Sequence, residues 1–161
     1  MNIFEFAMQM EKDMENFYRE LAQKCPNKGL NRILKILAEE EKRQYDIIKQ
    51  MTEDTQPEMV ETDILELPRN IFREMKETKD TFGCDSSKIG IFKKAQGLEK
   101  ESEDYYREKA GEIGEDNRKN IFQKLAEEEK KHCFLLENII QFLQRPREWL
   151  ENAEFTHLDE Y

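Results

Sequence analysis

The sequence predicts an all-α chain: an antiparallel four-helix bundle made of two duplicated helical hairpins, joined by a long crossover and followed by a C-terminal tail. Three observations carry this. Apolar residues recur at three- and four-residue steps along four long segments, the period of one helix face. The last two of those segments repeat the first two at one fixed offset and without a gap. With 37% hydrophobic and 39% charged residues in 161, the composition suits amphipathic helices around a single core.

The first helix runs from Ile3 to about Lys24, with Phe4, Ala7, Met14, Tyr18 and Leu21 as its stripe, widened by Met10 and Phe17. Glu11 lies inside that stripe. Cys25-Pro26-Asn27-Lys28-Gly29 breaks the helix, because proline and glycine punctuate helical pattern. A second helix follows from about Leu30 to Met51, carrying Leu34, Leu37, Glu41, Gln44 and Ile48 on its apolar face. Residues 52–86 form the crossover, poorer in pattern and holding Pro57 and Pro68, with a short helix suggested only at Ile71-Phe72-Arg73-Glu74-Met75. Asp85-Ser86-Ser87 offers N-cap side chains for a third helix that runs to Ala110 along Ile91 or Phe92, Ala95, Glu99, Ser102 and Tyr106, and Gly111 and Gly114 end it. The fourth, from about Glu115 to Leu143, places Phe122, Leu125, Glu129, His132 and Leu136 on one face and stops before Pro146. Residues 1–145 therefore read as one bundle, with hairpins 2–51 and 87–143. Residues 146–161, with Trp149, Leu150, Phe155, Leu158 and Tyr161, read as a tail packed on the bundle or on a partner subunit.

The duplication is visible residue by residue. Met10 to Ala22 aligns with Leu98 to Ala110, and Glu11 and Glu99, Glu41 and Glu129, and Gln44 and His132 are each 88 residues apart. Ala38-Glu39-Glu40-Glu41-Lys42 recurs as Ala126-Glu127-Glu128-Glu129-Lys130. The residue standing where His132 stands is Gln44, the one informative flaw in the repeat.

Four carboxylates, one from each helix, are thus expected to converge inside one bundle. Burying each without compensation costs several kcal/mol, and clustering adds repulsion. Two divalent cations balance four carboxylates, and a Glu on each of two helices with Glu-x-x-His on the others is a di-metal ligand pattern. Tyr18 and Tyr106 are expected to donate their hydroxyls to ligand carboxylates, since a buried phenol needs a partner. Glu39, Glu40, Glu127 and Glu128 fall off the stripe and read as solvated surface, while Glu15 and Glu103 sit at its edge and read as exposed. Met8, Met10 and Met14 read as core, and His157 as a surface or packing residue.

Composition excludes other classes. A formal net charge of −10, with Lys and Arg interleaved among acids, is the wrong sign for nucleic acid or an anionic membrane surface. There is no apolar run of the roughly 20 residues that span a bilayer, and Met1-Asn2-Ile3-Phe4-Glu5 does not open like a secretory signal. The expected location is cytoplasmic. Cys25, Cys84 and Cys133 are widely spaced with no Cys-x-x-Cys, which argues against a disulfide framework and against a rubredoxin-type iron site in this chain.

On these residues the chain resembles the rubrerythrin-type branch of the ferritin-like superfamily across nearly all of both hairpins, in its shorter form without a rubredoxin domain. The resemblance implies two iron ions, with zinc or manganese as possible substitutes. By it Glu11 and Glu99 are terminal ligands, Glu41 and Glu129 bridge, His132 completes the ion held by Glu99, and Gln44 stands at the corresponding place for the ion held by Glu11. It also implies reduction of hydrogen peroxide or dioxygen in oxidative-stress defence, an external electron donor such as a rubredoxin, and a homodimer or higher homo-oligomer. Members of that branch carry an extra Glu one turn after the third-helix ligand, which exchanges with the first-half His. Here those positions are Ser102 and Gln44, so the alternatives remain an iron-binding or storage protein of ferritin type, or a degenerate metal-site scaffold without turnover.

Overall fold

The computed structural model describes residues 1–53, 57, 59, 63–77 and 88–144. Among them run five helices: α1 (Ile3–Gln23), α2 (Lys28–Thr52), α3 (Glu66–Glu77), α4 (Ile89–Ala110) and α5 (Asp116–Gln144). α1 packs along α2, and α4 along α5, so each half is a helical hairpin. The expectations for Asp85-Ser86-Ser87, for Cys84, for His157 and for the tail at 146–161 fall outside the described residues.

Local chemistry sets the helix starts. Asn2 caps α1 by accepting from the Glu5 backbone N–H at 2.8 Å, and the Glu5 carboxylate returns to the Asn2 N–H at 3.4 Å, a reciprocal capping box. Asn27 caps α2 in one direction only, accepting from the Leu30 N–H at 2.9 Å. The residue before α4 is Lys88, which makes no side-chain cap hydrogen bond.

The crossover holds more helix than its pattern suggested. α3 begins at Glu66, before Pro68, because a proline in the first helical turn lacks only an N–H that has no partner there anyway. Its Ile71, Phe72 and Met75 are buried. Phe72 meets Phe142 of α5 with ring centroids 5.8 Å apart, and Met75 lies so close to Gly29 of α2 that a Cβ there would come within 2.6 Å of its sulfur. Glycine at that position is what lets α3 close onto the bundle. On α4 the stripe passes through Phe92, which is buried, while Ile91 is exposed.

The core is two apolar clusters with a polar layer between them. One contains Met14, Tyr18, Leu37, Ala38, Ala95, Leu135 and Leu136. The other contains Ala7, Ile47, Ile48, Tyr106, Leu125 and Ala126. On each of the four long helices the chain passes from one cluster to the other across a single turn: Glu11 on α1, Glu41 and Gln44 on α2, Glu99 and Ser102 on α4, Glu129 and His132 on α5. Each buried Leu, Ile or Phe contributes roughly 1.5–3 kcal/mol. The two clusters supply the free energy against which the polar layer is held in place.

Candidate metal centre

All six of the layer's sequence-expected residues are brought together, and Glu11, Glu41, Gln44, Glu99, Glu129 and His132 are each at most 1% exposed. On the His132 side, Nδ1 lies 3.1 Å from Glu41 Oε1, 3.3 Å from Glu99 Oε2 and 3.7 Å from Glu129 Oε2. Each of these four residues offers a ligand atom, and those atoms all lie within 4.8 Å of one another. Glu11 and Gln44 stand on the other side. Surrounded by carboxylate oxygens, the Gln44 amide is assigned with its nitrogen toward them, donating to Glu129 Oε1 at 2.7 Å and to Glu11, whose oxygens are 2.9 and 3.2 Å away.

Two tyrosines tie the halves together by a crossed exchange. The Tyr18 hydroxyl, from the first hairpin, donates to Glu99 Oε1 of the second at 2.6 Å. The Tyr106 hydroxyl, from the second, donates to Glu11 Oε1 of the first. This is the role expected for them, and 88 residues again separate the pair. Burial, then the neighbouring Glu99 charge, pushes the Tyr18 phenol well above its ordinary range, and burial with Glu11 does the same for Tyr106. Both stay protonated donors.

Electrostatics show what the packed carboxylates lack. Burial, joined by repulsion from the other carboxylates, holds Glu41 and Glu129 well above the usual carboxylate range, and burial brings Glu11 up to about 7. Glu99 goes the other way: burial opposes ionisation, but the His132 imidazolium and hydrogen bonds from its neighbours overcome it and bring it down to about 2. His132 is raised, its burial penalty outweighed by Glu99, with Glu128 and Glu40 adding to it. Burial and mutual repulsion thus push Glu41 and Glu129 toward the protonated form, and a cation among them would relieve both.

The donor set fits a metal ion. Glu129 Oε2 is fully buried with no hydrogen-bond partner, although it sits within the group formed with His132 Nδ1. Three carboxylates and one imidazole around one point are hard and borderline donors of the kind that hold iron(II), manganese(II) or zinc(II). His132 Nε2 is also buried and unpartnered. On the Gln44 side the set is weaker, with Glu11 and shared oxygens but no imidazole.

The surroundings of the centre depart from the sequence reading in two places. Glu15 and Glu103, expected to be exposed, are 6% and 7% exposed, because Arg19 and Arg107 fold over them. Arg19 reaches Glu15 at 2.8 Å and Glu39 at 2.9 Å. Arg107 reaches Glu103 and Glu127, both at 2.9 Å. The two networks are copies at the same 88-residue offset, so the duplication itself was the signal for them. Glu128, expected on the surface, is buried and pairs across the helices with Arg43, which also holds Glu40 at 3.0 Å. Glu40 is itself partly buried, while Glu39 and Glu127 are exposed as expected. No repeat could have announced the Arg43 contact, because Lys131 occupies the duplicate position. Met14 is core as expected, with Met8 and Met10 partly buried at the edge of the other cluster.

Among the described residues no helix is long and apolar enough to cross a membrane. No curated protein and no solved structure matches the chain. The protein-family model described as Rubrerythrin matches residues 2–140, which spans α1 to nearly the end of α5 and includes every residue of the polar layer. The chain, an all-α ferritin-like helical bundle, belongs to the rubrerythrin family.

Proposed function

We propose that this is a non-haem di-iron carboxylate protein that reduces hydrogen peroxide or dioxygen. The observation that carries the reading is the buried layer of four carboxylates and an imidazole, one or two ligand-type side chains from each long helix. Glu41, Glu99, Glu129 and His132 would hold one ion. Glu11 would hold a second with help from Glu41 and Glu129, and Gln44 stands where the second imidazole would be. Bound iron supplies the electrons, two for each peroxide reduced to water with uptake of two protons.

This chain's own residues then have definite tasks. Tyr18 and Tyr106 fix the terminal carboxylates Glu99 and Glu11 by donating to one oxygen of each, which leaves the second oxygen of each for a metal. The two apolar clusters exclude bulk water from above and below the layer. A groove between α1 and α4, lined by Phe6, Met10, Met14, Phe17, Ser102 and Tyr105 among others, reaches the turn after Glu11 and Glu99 and gives a small oxidant a way in. With no Cys-x-x-Cys in the chain, the electrons come from a separate carrier such as a rubredoxin. A cytoplasmic setting agrees with Cys25 and Cys133 being free thiols. Exposed Phe6 on α1 and Ile91 on α4 support a homodimer.

A second reading, metal binding or storage without turnover, is favoured by Ser102 and Gln44, which stand where an exchanging carboxylate and imidazole are found in the wider branch. Anaerobic iron loading followed by stopped-flow oxidation separates the two. Faster oxidation by peroxide than by dioxygen, with turnover on adding a carrier, supports the redox reading. Preference for dioxygen, followed by mineral accumulation, supports storage. Zinc or no metal after both aerobic and anaerobic purification supports the scaffold.

A further inference from the structure

Gln44 is fully buried, and its amide lies between Glu11 and Glu129. A primary amide has two N–H donors on one side and a carbonyl oxygen on the other. Assigned from its hydrogen-bond partners, the amide turns its nitrogen inward, 2.7 Å from Glu129 Oε1 and 2.9 and 3.2 Å from the Glu11 oxygens. Turned over, the carbonyl oxygen would face the same carboxylate oxygens at the same short distances. Oxygens so close are tolerable only with a proton or a cation between them. The two orientations occupy the same space and differ by rotation of the terminal torsion, which is broad and soft, so exchange between them needs no movement of α2.

We propose that Gln44 is a reversible stand-in for the second metal ion: its N–H groups close the Glu11 side when one ion is bound, and it turns its carbonyl oxygen inward when a second arrives. The inference rests on the two-position reading above and deepens it, because it makes the two positions unequal and conditional. An ion entering the Glu11 side must displace the Gln44 amide from Glu11 and Glu129, whereas the tyrosine donors are matched on the two sides. An ion entering the His132 side finds Glu129 Oε2 without a hydrogen-bond partner, 3.7 Å from His132 Nδ1. The first position therefore fills at low metal, and the second only when metal is plentiful. Two-electron chemistry that needs both ions is thereby tied to metal supply.

The test uses zinc(II), which is redox-silent and diamagnetic, titrated calorimetrically into the metal-free full chain and into Gln44→His, with the Gln44 side-chain amide followed by proton–nitrogen NMR. The wild type is expected to bind one ion tightly and a second at least about tenfold more weakly. Gln44→His is expected to tighten the second roughly 10- to 100-fold, the scale on which supporting groups tune metal affinity, and to leave the first within a few-fold. The Gln44 amide protons should stay protected from solvent exchange through the first equivalent and lose protection with the second. Two equivalent ions in the wild type, loss of protection with the first equivalent, or an unchanged second affinity in a folded Gln44→His each overturn the proposal. Should Gln44→His not fold, the wild-type titration and its amide spectrum decide alone. No binding of any ion overturns the metal reading itself.

Discussion

The first and second hairpins place the same side chains at the same heights in one bundle, Glu11 with Glu99, Glu41 with Glu129 and Tyr18 with Tyr106, yet they finish the ligand set differently. In the second, His132 brings an imidazole nitrogen within 3.1 Å of a carboxylate from the opposite hairpin. In the first, Gln44 brings an amide that donates to Glu11 and Glu129. The difference teaches that a symmetric scaffold can carry two chemically distinct positions when a single residue of the repeat is changed. A proton or cation belongs on one side, and a neutral hydrogen-bond donor already serves on the other.

The strongest way to break the comparison is to remove a carboxylate that both sides use. Glu129→Ala should abolish binding of at least one ion. Removing a terminal carboxylate should separate the sides: Glu99→Ala should abolish the tight ion, while Glu11→Ala should leave it within a few-fold. Metal content after dialysis, with calorimetric affinity, measures both. Next in size, His132→Gln makes the second hairpin like the first and should weaken the tight ion roughly 10- to 100-fold, read by competition with a chromogenic chelator.

The pH dependence of the metal-free protein sharpens the comparison without metal. Glu11, held at about 7 against an ordinary 4.5, keeps a proton in the folded state that the unfolded chain has released. Its contribution is therefore lost as pH rises from 4.5 through 7, by roughly 3 kcal/mol in all. Glu41 and Glu129 act in the same direction, and so does His132, whose raised value gives stability present below 6.5 and lost above its folded value. Glu99, brought down to about 2, contributes stability above 4.5 that is lost as pH falls from 4.5 toward 2. The cluster thus favours the metal-free fold most near pH 4.5, and urea melts at pH 4.5 and 8 should show its contribution smaller at pH 8. Glu11→Gln should flatten the part of the slope between them that Glu11 supplies.

The smallest expected effect lies at the helix starts, where the hairpins also differ. Asn2→Ala removes the capping box of α1 and should cost about 1 kcal/mol, whereas Lys88→Ala, before α4, removes no cap hydrogen bond and should change stability by less than about 0.5 kcal/mol. Chemical denaturation resolves the two.

Much of this was legible in the sequence because the helical period and the 88-residue repeat are strong and independent signals. The period put Glu11, Glu41, Glu99, Glu129, Gln44 and His132 on inward faces, and the repeat put them at one height. Periodicity failed where a charged side chain is buried by a partner from elsewhere. Glu15 and Glu103 look like edge residues until Arg19 and Arg107 cover them, and Glu128 looks like surface until Arg43 crosses from α2. Such contacts join helices far apart in the chain, so no local pattern reports them. α3 was under-read because Pro68 signals a break in general, yet in a first turn it does no harm. The orientation of the Gln44 amide belongs to the same class: its residue type was visible, but not which of its atoms faces the carboxylates.

As a metal centre, the buried layer should stabilise the fold when loaded. Thermal unfolding of the protein at pH 8, first shown by metal analysis to be loaded and then stripped with a chelator, tests it most directly. Free metal at about one hundred times its dissociation constant adds roughly 3 kcal/mol, which for a chain of this size raises the melting temperature by roughly 5–10 °C. The account predicts that rise, larger at pH 8 than at pH 5 because the carboxylates that take up metal must first release protons. An unchanged melting temperature after stripping would contradict it.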